Sequence, residues 1–557
     1  MKKFLLSLLT VCVACTVLSA EKLPDNMYFN AMKDELSRTL KKLHRPGMPR
    51  PFYAAYKIEH LQEVSAVANL GALYPTAQND GQINLFAVLD IGTRQNDSLG
   101  YANDSYYYDY AYMPRSARLV GKNYHALRQA LWEVSDNAYV FAAETYQQKQ
   151  AYKRQKNILQ NGPDFVPGKQ GSYVEQIPAF EAYDLPTLQA LTAQLSAQAT
   201  AHKYLEEFEV EISPVQKDTY YLNSLGGFYQ RSRAAVYVGW KAQLRSKDGY
   251  KKKVSKYVWL SDFNPQTQAK LTQKTNEFLQ DLQDVYHAKK ADTYVGPVLL
   301  RPAAAGGFIK TVLVKNLQNI TPLLSRKEET DPTAGKLRDK LNLRVMSNVV
   351  DVTDKPFEKE FNGSPLGGFM PVDDEGVPAQ TLELVSAGKL RALPRSGRPL
   401  AKGDKSNGHA RLTDLSLPRE KLTNVFVTAK NPVPAEELEK QLVEKCRALE
   451  LEYCYILPAF APMKKNQTDI LAAEKIYTAD GHKETVYGLK ISDLTPRSLR
   501  DIVSAGNDPE ITYIQPLAYG GDFVPEQSVV VPSLLLEELE LVPDGKKADK
   551  PPFVKKP

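Results

Sequence analysis

Tyr294–Ile320 reads YVGPVLLRPAAAGGFIKTVLVKNLQNI, and the fold turns on how this stretch is read. Val298–Leu300 is a short apolar run that predicts a strand, followed by a turn at Arg301-Pro302. Pro302 suits the first position of a helix, where its missing N–H costs no hydrogen bond. Beyond it Phe308, Ile309, Val312, Leu313 and Leu317 recur at helical spacing and would form one apolar face. Gly306 and Gly307 are poor helix formers inside that pattern, which predicts that something approaches the backbone closely there.

The stretch lies in a chain of 557 residues, 43% of them hydrophobic, enough to bury at least two cores. Basic residues number 71 and acidic ones 65, for a formal charge of +6. That balance, with no basic stripe interleaved with aromatics, argues against nucleic acid as a partner. Met1–Ala20, MKKFLLSLLTVCVACTVLSA, has the basic start, apolar run and small exit residues of a signal peptide. Export to a periplasm or the cell exterior is therefore expected, with cleavage after Ser19 or Ala20. Cys12 and Cys15 lack the full lipoprotein context, so lipidation is the lesser reading. No later segment is long and apolar enough to predict a membrane span. Cys446 and Cys454 remain after cleavage. They are read as two buried free thiols, with pairing as the alternative in an oxidising compartment.

Upstream, Asn26–Leu43 predicts a helix, and Pro51–Glu59, Glu63–Tyr74 and Gln82–Ile91 predict strands of one antiparallel sheet. The tyrosine-rich stretch Tyr101–Met113 reads as a loop that packs its rings on its own domain, or else binds a ligand. Tyr124–Arg154 is a long helix, Asn157–Tyr183 a loop or lid, and Leu185–Ala201 an amphipathic helix. Strands follow at Phe208–Ile212, Lys217–Leu222, Ala234–Leu244 and Lys252–Trp259, then a charged helix at Pro265–Lys290. A domain boundary is placed near Ala291. Downstream strands dominate, Asp373-Asp374-Glu375-Gly376 reads as a hairpin turn, and Pro496–Ala505 reads as a helix.

The organising stretch resembles the start of the C-terminal domain of the TldD/PmbA family, peptidases also called gyrase modulators. Further segments occur in that family's order: LNLRVMSNVVDVTDKP, PVDDEGVPAQTLELVSAGKLRAL, SNGHARLTDL, AEKIYTADGHKETVYGLKISDLTPRSLRDIVSAGN and VVPSLLLEELELV. The N-terminal segments AMKDELSRTLKKL, PFYAAYKIE and YHALRQALWEVSDNAY resemble its secreted branch. The resemblance implies a two-domain α+β fold. Its parts would be a signal peptide at 1–20, an N-terminal α+β domain at 21–290, a strand-dominated C-terminal domain at 291–542 and a disordered tail at 543–557. Active members carry His-Glu-x-x-x-His on the helix after the GPVL-like strand. There two histidines hold zinc and the glutamate handles protons. The matching positions here are Ile309, Lys310 and Val314. Isoleucine and valine have no lone pair for zinc, and a charged lysine cannot take a proton. The cysteine ligand of active relatives is also missing from the segment matched to it, Ala518-Tyr519-Gly520-Gly521.

None of the seven histidines is followed by glutamate. His202 and Glu206 are one helical turn apart and could touch one metal, but exposed polar pairs at this spacing are common and no second histidine is nearby. Lys310 reads as a helix-surface lysine reaching water, or else as a buried base or counter-charge. Asp373, Asp374 and Glu375 could hold calcium, although a solvated hairpin tip is the plainer reading. Ser406, His409 and Asp414 sit close in sequence only, and His409 is read as a turn residue lining the cleft. Arg411 would contact a substrate carboxylate or pair with an acid. Gly306, Gly307, Asp374, Glu375, His409, Arg411 and Tyr519 are thus the candidate cleft residues, with no catalytic or metal-binding residue. The expected function is a non-catalytic partner or peptide-binding member of a metallopeptidase family, without cofactor. It would bind unstructured peptide or pair with a copy of itself or another family chain. The alternatives are a metallopeptidase with relocated ligands and a pure scaffold.

Overall fold

The computed structural model describes residues 21–75, 77–102, 117–120, 122–181, 183–246, 249, 251–325, 334–412, 417–462, 468–470, 472–514 and 524–545. Within them the chain is a two-domain α+β protein built on a large sheet in each half.

The N-terminal sheet has eight strands, with Pro51–Asn69, Leu205–Asn223 and Phe228–Arg245 side by side at its centre. Side chains alternate across a strand, so each of these strands has an even-numbered and an odd-numbered face. The even face carries Tyr56, Ile58, Ala66, Phe208, Ile212, Val238 and Trp240, all buried. It is covered by helices α1 (Met27–Lys42), α2 (Tyr124–Gln155), α3 (Leu185–Ala197) and α4 (Pro265–His287), which share its two apolar clusters. Each helix opens on a side chain that accepts from its first turn: Asn26, Asn123, Asp184 and Asn264. The odd face carries Tyr53, Lys57, Glu59, Lys217, Tyr221, Tyr229 and Arg231, and it is buried too, because the C-terminal half packs on it.

In the C-terminal half, the strand Tyr294–Leu300 runs antiparallel to Leu534–Pro543 and parallel to Tyr453–Leu457 inside an eight-stranded sheet. Helix α5 (Pro302–Val312) follows, with Pro302 in its first turn as its ring geometry favours. It lies between this sheet and a second, six-stranded one, in a cluster that joins Val298 and Leu536 of the first to Val352, Val427 and Val529 of the second. Phe308, Ile309, Val312, Leu313 and Leu317 are all fully buried there. Helix α6 (Ala435–Ala448) covers the outer face of the eight-stranded sheet through Leu438 and Leu442. No helix among the described residues is long and apolar enough to cross a membrane.

Several local expectations are corrected. Pro51–Asn69 is one strand rather than two, and the strand pair expected at 208–222 is also continuous. Pro214 sits where pairing to the first strand skips from Glu63↔Val215 to Ala66↔Ile212. A residue with no N–H is tolerated at such a gap. The organising helix ends at Val312 and tightens into a 3-10 turn at Val314–Asn316. Pro496–Ala505 is a 3-10 turn to Asp501 and then a strand, because Ile502 pairs with Leu536 instead of continuing a helix. Cys446 and Cys454 form a disulfide between α6 and the strand after it, with Cα atoms 6.2 Å apart, in place of free thiols. The leader, Asn103–Met113 and most of the C-terminal tail lie outside the described residues.

Candidate functional site

Helix α5 and the 3-10 turn after it carry Ile309, Lys310 and Val314. Ile309 is 0% exposed and Val314 2%, both packed in the C-terminal core. Lys310 is half-buried, makes no ion pair or hydrogen bond among the described residues, and burial lowers its pKa below the ordinary lysine value. These side chains do not fit zinc: two are hydrocarbon, and the third is an ammonium with no lone pair while charged. Gly306 is buried because Thr512 crosses it. A Cβ there would lie 1.8 Å from Thr512 Oγ1. Gly307 is buried in the next position, its carbonyl accepting from the Thr311 hydroxyl at 2.8 Å.

The acidic turn is where the structure departs furthest from expectation. Gly376 does take the left-handed conformation, φ +77°, that the turn requires. The tip is not solvated, however: Asp373, Asp374 and Glu375 are 0%, 2% and 4% exposed. The N-terminal domain covers them. Gly171 N–H donates to the Gly376 carbonyl at 2.8 Å, and Asn223 Nδ2 to the Glu375 carbonyl at 2.9 Å. The three carboxylates are then used separately. Asp373 accepts the backbone N–H groups of Glu375, Val377 and Ala410. Asp374 accepts from the Tyr229 hydroxyl and from Leu412 N–H at 2.7 Å, with Lys57 Nζ 3.7 Å away. Glu375 accepts from Gly397 N–H. Burial raises Glu375 to about 8, with the charge of Asp373 adding to the rise. It also raises Asp373 to about 7 against its backbone donors. Asp374 is buried as well, yet Lys57, Arg231 and Arg411 hold it below the ordinary carboxylate value.

Asp374 thus touches a group of charges of which sequence reading had singled out only Arg411. Odd-numbered residues of the three central strands, Lys57, Glu59, Lys217, Arg231 and Arg233, face the C-terminal domain, which adds Arg411, Lys421 and Glu526. Lys57 lies 2.8 Å from Glu59, and Lys217 3.3 Å from Glu526. Arg231 donates to the Phe369 carbonyl at 2.9 Å, and Arg233 to the carbonyls of Gly367, Phe369 and Pro525. Burial lowers Lys421 to about 8, helped by the charge of Arg419. Beside the group, a cavity of about 180 Å³ opens between the domains, lined by Arg233, Trp259, Gly367, Phe369, Val524 and Pro525 among others. The one available signal was the Arg231-x-Arg233 and Lys57-x-Glu59 spacing, which places charges on one strand face.

The remaining candidates fall elsewhere. His409 is fully buried, with Nε2 2.9 Å from Asp354 Oδ2 and Nδ1 3.0 Å from the Asn407 carbonyl, so it ties the turn to the core beneath. Ser406 bonds to the Arg395 carbonyl at 3.3 Å, and Asp414 and Tyr519 lie outside the described residues. His202 and Glu206 do not share a helix, because the strand starts at Leu205. Glu206 accepts from Arg245 at 2.7 Å, while His202 meets Tyr204. Among the described residues no three His, Cys, Asp or Glu side chains converge as metal ligands do.

Known proteins place the fold. Residues 293–542 match the family model of the PmbA/TldA metallopeptidase C-terminal domain. No curated protein matches the chain. Among solved structures, a modulator of a DNA gyrase from Thermotoga maritima is similar, with TM-score 0.59 and 16% identity over 92% of this chain and 100% of that one. TldE from Thermococcus kodakarensis aligns with TM-score 0.59 and 13% identity, also over 92% and 100%. A modulator of DNA gyrase from Bacteroides thetaiotaomicron aligns with TM-score 0.57 and 12% identity over 93% and 98%. At these identities the structures speak for the fold and not for an activity. With residues 293–542 matched by the family model and 92% of its length following the architecture of the gyrase-modulator and TldE structures, the chain belongs to the TldD/PmbA family.

Proposed function

We propose that this chain is an exported, non-catalytic TldD/PmbA-family protein that binds extended peptide in the interdomain cleft, alone or as the partner of a motif-bearing family chain. The observation that carries the reading is the fate of α5. The positions of the family's metal motif are Ile309 and Val314 in the apolar core and Lys310 without a lone pair to give. Hydrolysis needs a group that stabilises the transition state, whereas retention of a peptide needs only affinity. The cavity at the domain boundary supplies room for such contacts. The Cys446–Cys454 disulfide suits an oxidising compartment and supports export. Export itself is checked by intact mass from a native host, which should begin at Ala20 or Glu21.

The test of function incubates unfolded peptides with the mature protein, with and without zinc, and follows retention and cleavage together. The expected result is retention without cleavage, and about no zinc bound per chain by metal analysis. Zinc-dependent cleavage that a chelator abolishes would overturn the reading. Light scattering with a motif-bearing family chain tells a lone binder from a partner subunit.

A further inference from the structure

Arg411 is 5% exposed, and its Nε and Nη2 find no hydrogen-bond partner among the described residues. These two nitrogens share the edge of the guanidinium that presents parallel N–H bonds, the edge that grips both oxygens of a carboxylate. A buried donor left without an acceptor is costly, and a buried charge more so. Burial, then the like charge of Arg231, works against the proton on Arg411, yet a guanidinium keeps it in a protein. The site therefore asks for an anion rather than shedding its charge.

The surroundings sharpen the demand. Arg231 and Arg233 spend donors on main-chain carbonyls, so they add charge without consuming a carboxylate. Lys57 and Lys217 are matched by Glu59 and Glu526, and Asp374 is shared among Lys57, Arg231 and Arg411 without a hydrogen bond from Arg411. Arg233 connects this group to the interdomain cavity that it lines. We propose that Arg411, backed by Arg231 and Arg233, anchors a carboxylate of the bound peptide at the domain boundary, an assignment that rests on the peptide-binding reading above. A carboxylate fits better than a phosphate dianion. Among the described residues only Arg411 leaves a full Nε/Nη2 edge unanswered, Arg231 and Arg233 lacking a partner at Nε alone, and Asp374 and Glu526 stand close enough to repel a second negative charge.

The experiment titrates the full mature protein with fluorescent peptide pools that lack Asp and Glu, made as C-terminal acids or as C-terminal amides. A further amide pool carries one internal Glu. The acid pool should bind about tenfold or more tightly than the plain amide pool, and Arg411→Gln should erase most of that difference. If the Glu-containing amide pool matches the acid pool, the site takes a side-chain carboxylate as readily as the chain terminus. If it binds like the plain amide, the group is the chain terminus. Should Arg411→Gln fail to fold, the acid and amide comparison on the wild type still decides. Equal binding of all three pools would overturn the anion site and leave peptide binding standing, whereas no binding of any pool would overturn both. Stronger competition by inorganic phosphate than by acetate, at matched ionic strength, would overturn the carboxylate assignment.

Discussion

Glu375 shows how far a residue's chemistry depends on what covers it. Buried beneath the N-terminal domain with a single N–H donor, it is pushed from its ordinary 4.5 to about 8, first by burial and then by the charge of Asp373. The folded chain therefore keeps a proton there that the unfolded chain releases. Stability from this group is complete below pH 4.5 and is lost as pH rises through about 8. Glu375→Gln copies the protonated form, so its melting temperature should fall less than the wild type's between pH 5 and pH 8. Thermal melts by circular dichroism across that window check it, and a slope unchanged by the substitution would sink the assignment. The sequence showed that Asp-Asp-Glu-Gly is a turn. It could not show the loss of solvent, because that is imposed by Gly171 and Asn223 from the other domain. By contrast, the unfitness of Ile309, Lys310 and Val314 for zinc is a property of the side chains alone and needed no structure.

At the scale of elements, α5 and the strand Glu510–Ile514 meet at Gly306. Replacing a helical glycine by alanine ordinarily gains about 1 kcal/mol in an exposed helix. Here the added Cβ would lie 1.8 Å from Thr512 Oγ1 and 2.4 Å from Thr512 Cβ. Overpacking of that kind costs roughly 1–3 kcal/mol, so the contact outweighs propensity and Gly306→Ala should destabilise by about 1–2 kcal/mol. Urea unfolding measures it, and Thr512→Gly in the same background should recover part of the loss. A more stable Gly306→Ala protein would show that the strand yields freely. The glycine pair announced a close approach in the sequence, but the identity of the crossing strand did not follow from any local pattern. The same limit explains Pro496–Ala505. Its apolar spacing suits a helix turn as well as a strand, and the Leu534–Pro543 strand decides between them.

Over the whole molecule, the domains are joined by a second buried charge network. Arg398 of the C-terminal domain donates to Asp97 at 3.1 Å, with Asp90 at 3.8 Å. Lys149 on α2 reaches Asp97 at 2.6 Å and Asp164 at 2.9 Å. Burial and the neighbouring Asp97 already raise Asp90 well above the ordinary carboxylate value. Removing Arg398 takes one of the two cations away from buried Asp97 and leaves it Lys149 alone, a loss of about 3–5 kcal/mol for a broken buried pair. Arg398→Met should therefore lower the melting temperature and split calorimetric unfolding into two transitions. A single transition at the wild-type midpoint would show that the apolar contacts alone couple the domains.

What the sequence by itself determined are things local chemistry controls: the strand and helix of Val298–Val312, the turn at Gly376 and the lack of zinc-donor side chains at 309, 310 and 314. Only the tertiary structure decided that Lys57, Glu59, Lys217, Arg231 and Arg233 lie between domains. A period of two says that such residues share a face, and an isolated sheet would turn that face to water. The C-terminal domain covers it instead. Long-range packing therefore turns a polar strand face into a buried cationic pocket.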